Sequence, residues 1–205
     1  MAQSVGSRAF PRRINAAPII SVTIAGSGFG EGIVINVGGR FIAVIDTCYL
    51  IFKWDRKGNI SGLLDKILRQ CDDPILGFVL LTHPHYDHFQ GMYSLLQEHG
   101  ERFMRICLFE GVTECELAGI YRQKAIASVC NGRPYNRFVQ YQNILDYWEQ
   151  IATDEQKLRV SDGTEICSLS IVSSQDGSYI PFRVRALAPS ASEVDQFLRE
   201  ISFKS

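Results

Sequence analysis

Residues 80–92 read LLTHPHYDHFQGM. The run ILGFVLL at 75–81 leads into this stretch and GMYSLLQEHG at 91–100 leaves it. The first is short, bounded and rich in branched apolar residues, as a buried strand is. The second carries apolar residues at helical spacing and closes on Gly100, as a short helix does. The intervening segment is therefore a loop leaving a strand and entering a helix. It holds three of the chain's four histidines, His83, His85 and His88, with Asp87 beside the last.

Imidazole nitrogens and carboxylate oxygens bind zinc at about 2.0–2.2 Å and also suit manganese or iron. On an extended loop, residues two apart point the same way, so His83 and His85 can chelate one ion while Asp87 and His88 turn toward a second position. Two ions about 3.5–4 Å apart can hold a hydroxide and clamp the oxygens of an ester or phosphoester under attack. That is hydrolysis without a covalent intermediate. A single histidine is more often a satisfied core or surface side chain. Three of them with a carboxylate would incur repeated desolvation and pairing costs if they served packing alone. The cluster thus reads as a metal site. His99, at a helix end before Gly100, reads as a C-terminal cap cation without a functional role.

The flanking sequence fits a mixed α/β domain. PIISVTIAG (18–26) is a strand, and GFGEGIVINVGGRFIAVIDTC contains two β-rich runs parted by Gly38-Gly39, a hairpin signal. The second run ends at Asp46, which either faces a site or caps the next loop. GLLDKILRQC, preceded by Ser61, is a helix; RFMRICLF (102–109) is a strand; ECELAGIYRQKAIASVC and RFVQYQNILDYWEQIA are helices. KLRVSDGTEICSLSIVSSQDGSYIPFRVRALAPS reads as a strand, a glycine turn and two more strands, and SASEVDQFLREI as a final helix capped by Ser190 or Ser192.

Composition bounds the function classes. The 205 residues are 46% hydrophobic and 21% charged, suited to a single globular domain spanning 1–205. No apolar run approaches the roughly 20 residues that span a bilayer, so no membrane is expected and the default compartment is the cytoplasm. Six scattered cysteines without a CxxC pair read as reduced thiols. A net charge of -1 provides no global attraction to nucleic acid, although a local basic groove is compatible with it.

His83-Pro84-His85-Tyr86-Asp87-His88 has the HxHxDH spacing of the metallo-β-lactamase-fold hydrolases, and the flanking ILGFVLLT and FQGM also resemble that family. GFGEGIVINVGGRFIAVIDTC is similar to its opening hairpin, with Asp46 where its first motif has an aspartate. RVRALAPSASEV resembles a strand and Pro-Ser turn of the soluble domain of DNA-uptake competence proteins. The resemblance implies an αββα sandwich with Zn2+, one or two ions, at one edge, Mn2+ or Fe being alternatives. It implies that His83 and His85 bind a first metal, that Asp87 and His88 bind a second, that Asp87 orients the attacking water, and that Asp46 steadies the loop.

That family also takes two histidines and a bridging aspartate from its later half, whereas no histidine follows His99. The expectation is a first half of the fold with a helical insertion at 111–157. A truncated product, a second chain or second copy, or carboxylates such as Asp162, Asp176 or Asp195 would account for the remaining ligands. Two functions follow. One is a phosphodiesterase or nuclease acting on nucleic acid or nucleotide; the other is a non-catalytic scaffold docking through Tyr135, Phe138, Tyr141, Tyr147 and Trp148, residues that core packing also explains.

Overall fold

The computed structural model describes residues 13–16, 19–26, 31–48, 60–109, 115–131, 137–173 and 176–187. Gly38 and Gly39 adopt φ of 58° and 71°, a region glycine enters without steric cost. They turn β3 (Glu31–Val37) back onto β4 (Phe41–Ile45), and β2 (Ile20–Gly26) pairs antiparallel along the far side of β3. From β4 to β7 each connection passes through helix and returns parallel. Helix α1 (Ile60–Gln70) leads to β5 (Ile75–Leu81); the single turn α2 (Tyr86–Phe89) and α3 (Met92–His99) lead to β6 (Arg105–Phe109). Helices α4 (Cys115–Cys130) and α5 (Arg137–Asp146), with a π-helical turn at Tyr147–Ile151, lead to β7 (Lys157–Val160). The result is a six-stranded mixed sheet in the order β2-β3-β4-β5-β6-β7. The hairpin β8 (Glu165–Ser173) and β9 (Tyr179–Arg185), with β1 (Arg13–Ala16) parallel to β8, forms a second, three-stranded sheet.

The mixed α/β class expected from the alternation of runs is the class observed. Side chains alternate across the large sheet and build two cores. Val44, Val79, Leu81 and Ile106 meet Leu64, Leu95, Leu96 and Tyr141 on the helical side. Phe41, Ala43, Phe78 and Cys107 meet Ile166, Leu169 and Ile171 of the small sheet on the other. Helices, large sheet and small sheet thus make three layers, and among the described residues no helix packs outside the small sheet. Nor does that sheet cover the whole of its neighbour. Ile20, Val22 and Ile24 pair with Val37, Ile35 and Ile33, and all three stay more than half exposed.

The stretch 111–157 forms the crossover from β6 to β7. Its α5 and π-turn contribute Tyr141, Ile144, Leu145, Tyr147 and Trp148 to the helical core, and Trp148 Nε1 donates to Ile106 O at 3.2 Å. Core packing thus accounts for Tyr141, Tyr147 and Trp148; Phe138 is half-buried, and Tyr135 lies outside the described residues. So do Asp195 and the expected final helix with Ser190 and Ser192. Ser61 lies in the first turn of α1 instead of preceding it. His99 ends α3 as expected, but it is buried, with its Nε2 3.2 Å from Asp65 Oδ1 of α1 without hydrogen-bond geometry. Cys48, Cys71, Cys107, Cys130 and Cys167 are free thiols, and no described helix is long and apolar enough to cross a membrane.

One glycine sets the phase of the strand that carries the histidine loop. Leu76 pairs with Ile42 and Phe78 with Ala43, so Gly77 is the extra residue of a bulge. A one-residue slip moves every later side chain to the opposite face. The bulge therefore directs Leu80 and Thr82 to the inter-sheet side and Leu81 to the helices. The buried Phe41 ring lies over Gly77, 2.0–2.8 Å from where a Cβ would stand. Gly77→Ala is expected to destabilise the fold by about 1–3 kcal/mol through displacement of that ring, read from the urea midpoint.

Candidate metal centre

The site is assembled where β4 and β5 end side by side. Asp46 N donates to Leu80 O at 2.8 Å, and Thr47 N donates to His88 O at 2.7 Å, which clips α2 to the end of β4. Asp46 is buried and holds φ at 54°, a left-handed conformation costing a non-glycine residue roughly 1–2 kcal/mol. Charge-assisted hydrogen bonds offset that strain. Asp46 Oδ1 accepts from Thr82 N at 2.8 Å; its Oδ2 accepts from Thr82 Oγ at 2.6 Å and from His88 Nδ1 at 2.9 Å.

These bonds determine which nitrogens carry protons. An ionised carboxylate only accepts, so His88 presents Nδ1–H to Asp46, which leaves Nε2 as the nitrogen that could face a metal. Thr82 has one hydroxyl proton, and Asp46 takes it. Toward His83 Nδ1, 2.9 Å away, the Thr82 oxygen can only accept. His83 therefore also carries its proton on Nδ1 and its lone pair on Nε2. Burial and the neighbouring His88 and His85 rings hold the His83 pKa below the ordinary imidazole value, which favours this neutral form. A metal-binding imidazole needs its second nitrogen anchored, and both rings have Nδ1 anchored in this way.

His83, His85 and His88 come together. The His83 and His88 ring centroids are 3.8 Å apart and those of His83 and His85 4.8 Å. Asp46, His83 and His88 offer ligand atoms all within 4.8 Å of one another, a set that can hold a metal ion. Asp87 is half-exposed in the first turn of α2, its Oδ2 3.5 Å from His88 Nε2, and His85 precedes that turn. Among the later carboxylates, Asp162 is exposed in the turn before β8, and Asp176 Oδ1 accepts from Ser178 N at 3.0 Å within the β8–β9 turn. Neither belongs to the cluster. Thr82 escaped the reading of the sequence, although its place between strand and first histidine is where an anchor for His83 must sit.

Two cavities flank the loop. One, of about 280 Å³, lies between Pro84–Phe89 and the helices α4 and α5; the other, of about 500 Å³, is lined by Thr82, His83, Phe109 and Leu187. A scan against protein-family models finds no match for the chain, and a comparison with curated proteins finds none either.

Long-range 1H–15N NMR of the metal-free protein is expected to show His83 and His88 as Nδ1–H tautomers. Thr82→Val should release His83 from that tautomer and leave His88 in it. A pH dependence follows as well. Because the native pKa of His83 lies below the ordinary 6.5, the unfolded chain binds the proton first as pH falls, so stability falls with it. The urea midpoint of the metal-free protein should drop between pH 7.5 and pH 5.5, and His83→Gln should diminish that drop.

Proposed function

We propose that the chain is a cytoplasmic, metal-dependent hydrolase of the metallo-β-lactamase kind that cleaves phosphodiester bonds in a nucleic acid or nucleotide. The observation carrying this reading is the pair of imidazoles, His83 and His88, whose Nδ1 atoms are anchored on Thr82 and Asp46, so that the Nε2 atoms are the ones turned to a cation. The layer of helices, the large mixed sheet and a second sheet facing it are in keeping with three layers of an αββα sandwich.

His83, His85 and His88 would hold the ion, with Asp87 at a second position; Zn2+ suits these donors, and Mn2+ or Fe also fit. A bound divalent cation supplies Lewis acidity and makes water a stronger acid. The Asp87 carboxylate, half-exposed beside His88, takes the proton of the attacking water. Asp46 and Thr82 would hold the two rings in register throughout.

A non-catalytic scaffold is the second reading. It is favoured by the Ile20, Val22 and Ile24 stripe, which a second copy or another chain would cover. Native mass spectrometry in zinc- or manganese-containing buffer reads assembly and metal together. The hydrolase reading expects bound metal that His85→Ala releases, and cleavage of bis(p-nitrophenyl) phosphate that Asp87→Asn reduces by about 10²–10⁴-fold with the fold kept. A metal-replete protein inert on DNA, RNA, cyclic nucleotides and simple esters would leave the scaffold.

A further inference from the structure

The cavity on the helical side of the histidine loop has features that the metal cluster does not use. Its floor is His85 and Tyr86 from the loop; its wall is Tyr121 and Lys124 from α4 with Arg137 and Phe138 from α5. The wall is fixed to the floor. Tyr121 Oη donates to Pro84 O at 3.1 Å, and the Tyr121 ring packs on Phe138 and Tyr141 with centroids 5.6 and 4.4 Å apart. Tyr141 in turn packs on Phe89 of α2 at 5.2 Å.

Two cations are held in this wall by an aromatic ring. The Arg137 guanidinium lies 4.9 Å and the Lys124 ammonium 5.5 Å from the Phe138 centroid. Neither Lys124 nor Arg137 has a carboxylate partner among the described residues, in a chain whose net charge is -1. Arg137 also opens α5, whose first turn has no acidic residue and whose N-terminal end adds positive potential there. At about 280 Å³ the cavity lies just below the roughly 300–1,000 Å³ of small-molecule sites, so it admits a group no larger than a nucleotide.

We infer that this cavity is an anion subsite in which Lys124 and Arg137, carried on the Phe138 ring, bind a phosphate group while Tyr86 receives a flat ring. It deepens the hydrolase reading and rests on it for substrate class, because His85 is shared by the cavity and the histidine cluster. The substrate is then a nucleotide-type organic phosphate entering from the helical side. A guanidinium fork and an ammonium match phosphate oxygens in both geometry and charge.

The test is isothermal titration of the whole chain in chelator, with adenosine 5′-monophosphate, inorganic phosphate and adenosine as separate probes. Both cations are exposed, so a Lys124→Gln/Arg137→Gln double variant keeps its fold, checked by circular dichroism. The nucleotide should bind the native chain more tightly than either phosphate or adenosine. The double variant should bind it roughly 10- to 100-fold more weakly, the loss expected for one or two charge-assisted hydrogen bonds. Its metal uptake by native mass spectrometry should equal that of the native chain. No nucleotide binding, or equal affinity in the double variant, overturns the subsite even if metal binds. Nucleotide binding that needs both cations, in a chain that takes up no metal, retains the subsite and removes the hydrolase.

Discussion

The Asp46 carboxylate is buried at the end of β4 in a left-handed conformation and makes three hydrogen bonds, two to Thr82 and one to His88. Thr82 and His88 lie 36 and 42 positions beyond Asp46, and this carboxylate is what ties their loop to the end of β4. The strain of its backbone and the cost of its burial are sustained only while those donors are in place. Removing them would leave an unpaired buried charge, so the hub couples the strand ends to the histidine loop. It also commits the protons of two imidazoles, which makes the cluster chemically specific instead of merely crowded.

The rest of the fold can be understood as what brings β4 and β5 into that register. The bulge at Gly77 sets which face Thr82 occupies, and Phe41 fills the space a side chain there would take. Helical and inter-sheet cores grip the large sheet from opposite faces, so the strand ends cannot slide independently. The α4–α5 crossover then forms a wall over one side of the loop, joined to it by the Tyr121–Pro84 bond and a run of packed aromatic rings.

Much of this was legible in the order of residues. β5 coincides with the apolar run 75–81, the Gly38-Gly39 pair is the turn of the first hairpin, and helices follow the histidine loop and β6 as expected. These are local matters, governed by side-chain period and glycine freedom, and neighbouring residues suffice to reveal them. The grouping of His83, His85 and His88 was equally visible, because six consecutive positions cannot separate far in space. Asp46 stood at a strand end with two open roles, and only its pairing with residues 36 and 42 positions away favours one of them.

What needed the tertiary structure is everything carried by contacts distant in sequence. The fate of the aromatics after residue 135 was one such matter: Tyr141, Tyr147 and Trp148 fill the core because β6 lies beneath them, which their own spacing does not encode. His99 was another, since its neighbour Asp65 belongs to a different helix. The proton positions on His83 and His88 and the pairing state of Lys124 and Arg137 belong to the same class. Residue identity supplies the donors, acceptors and charges. Folding alone decides which of them meet, because hydrogen bonds and ion pairs act over a few ångströms and are indifferent to separation along the chain.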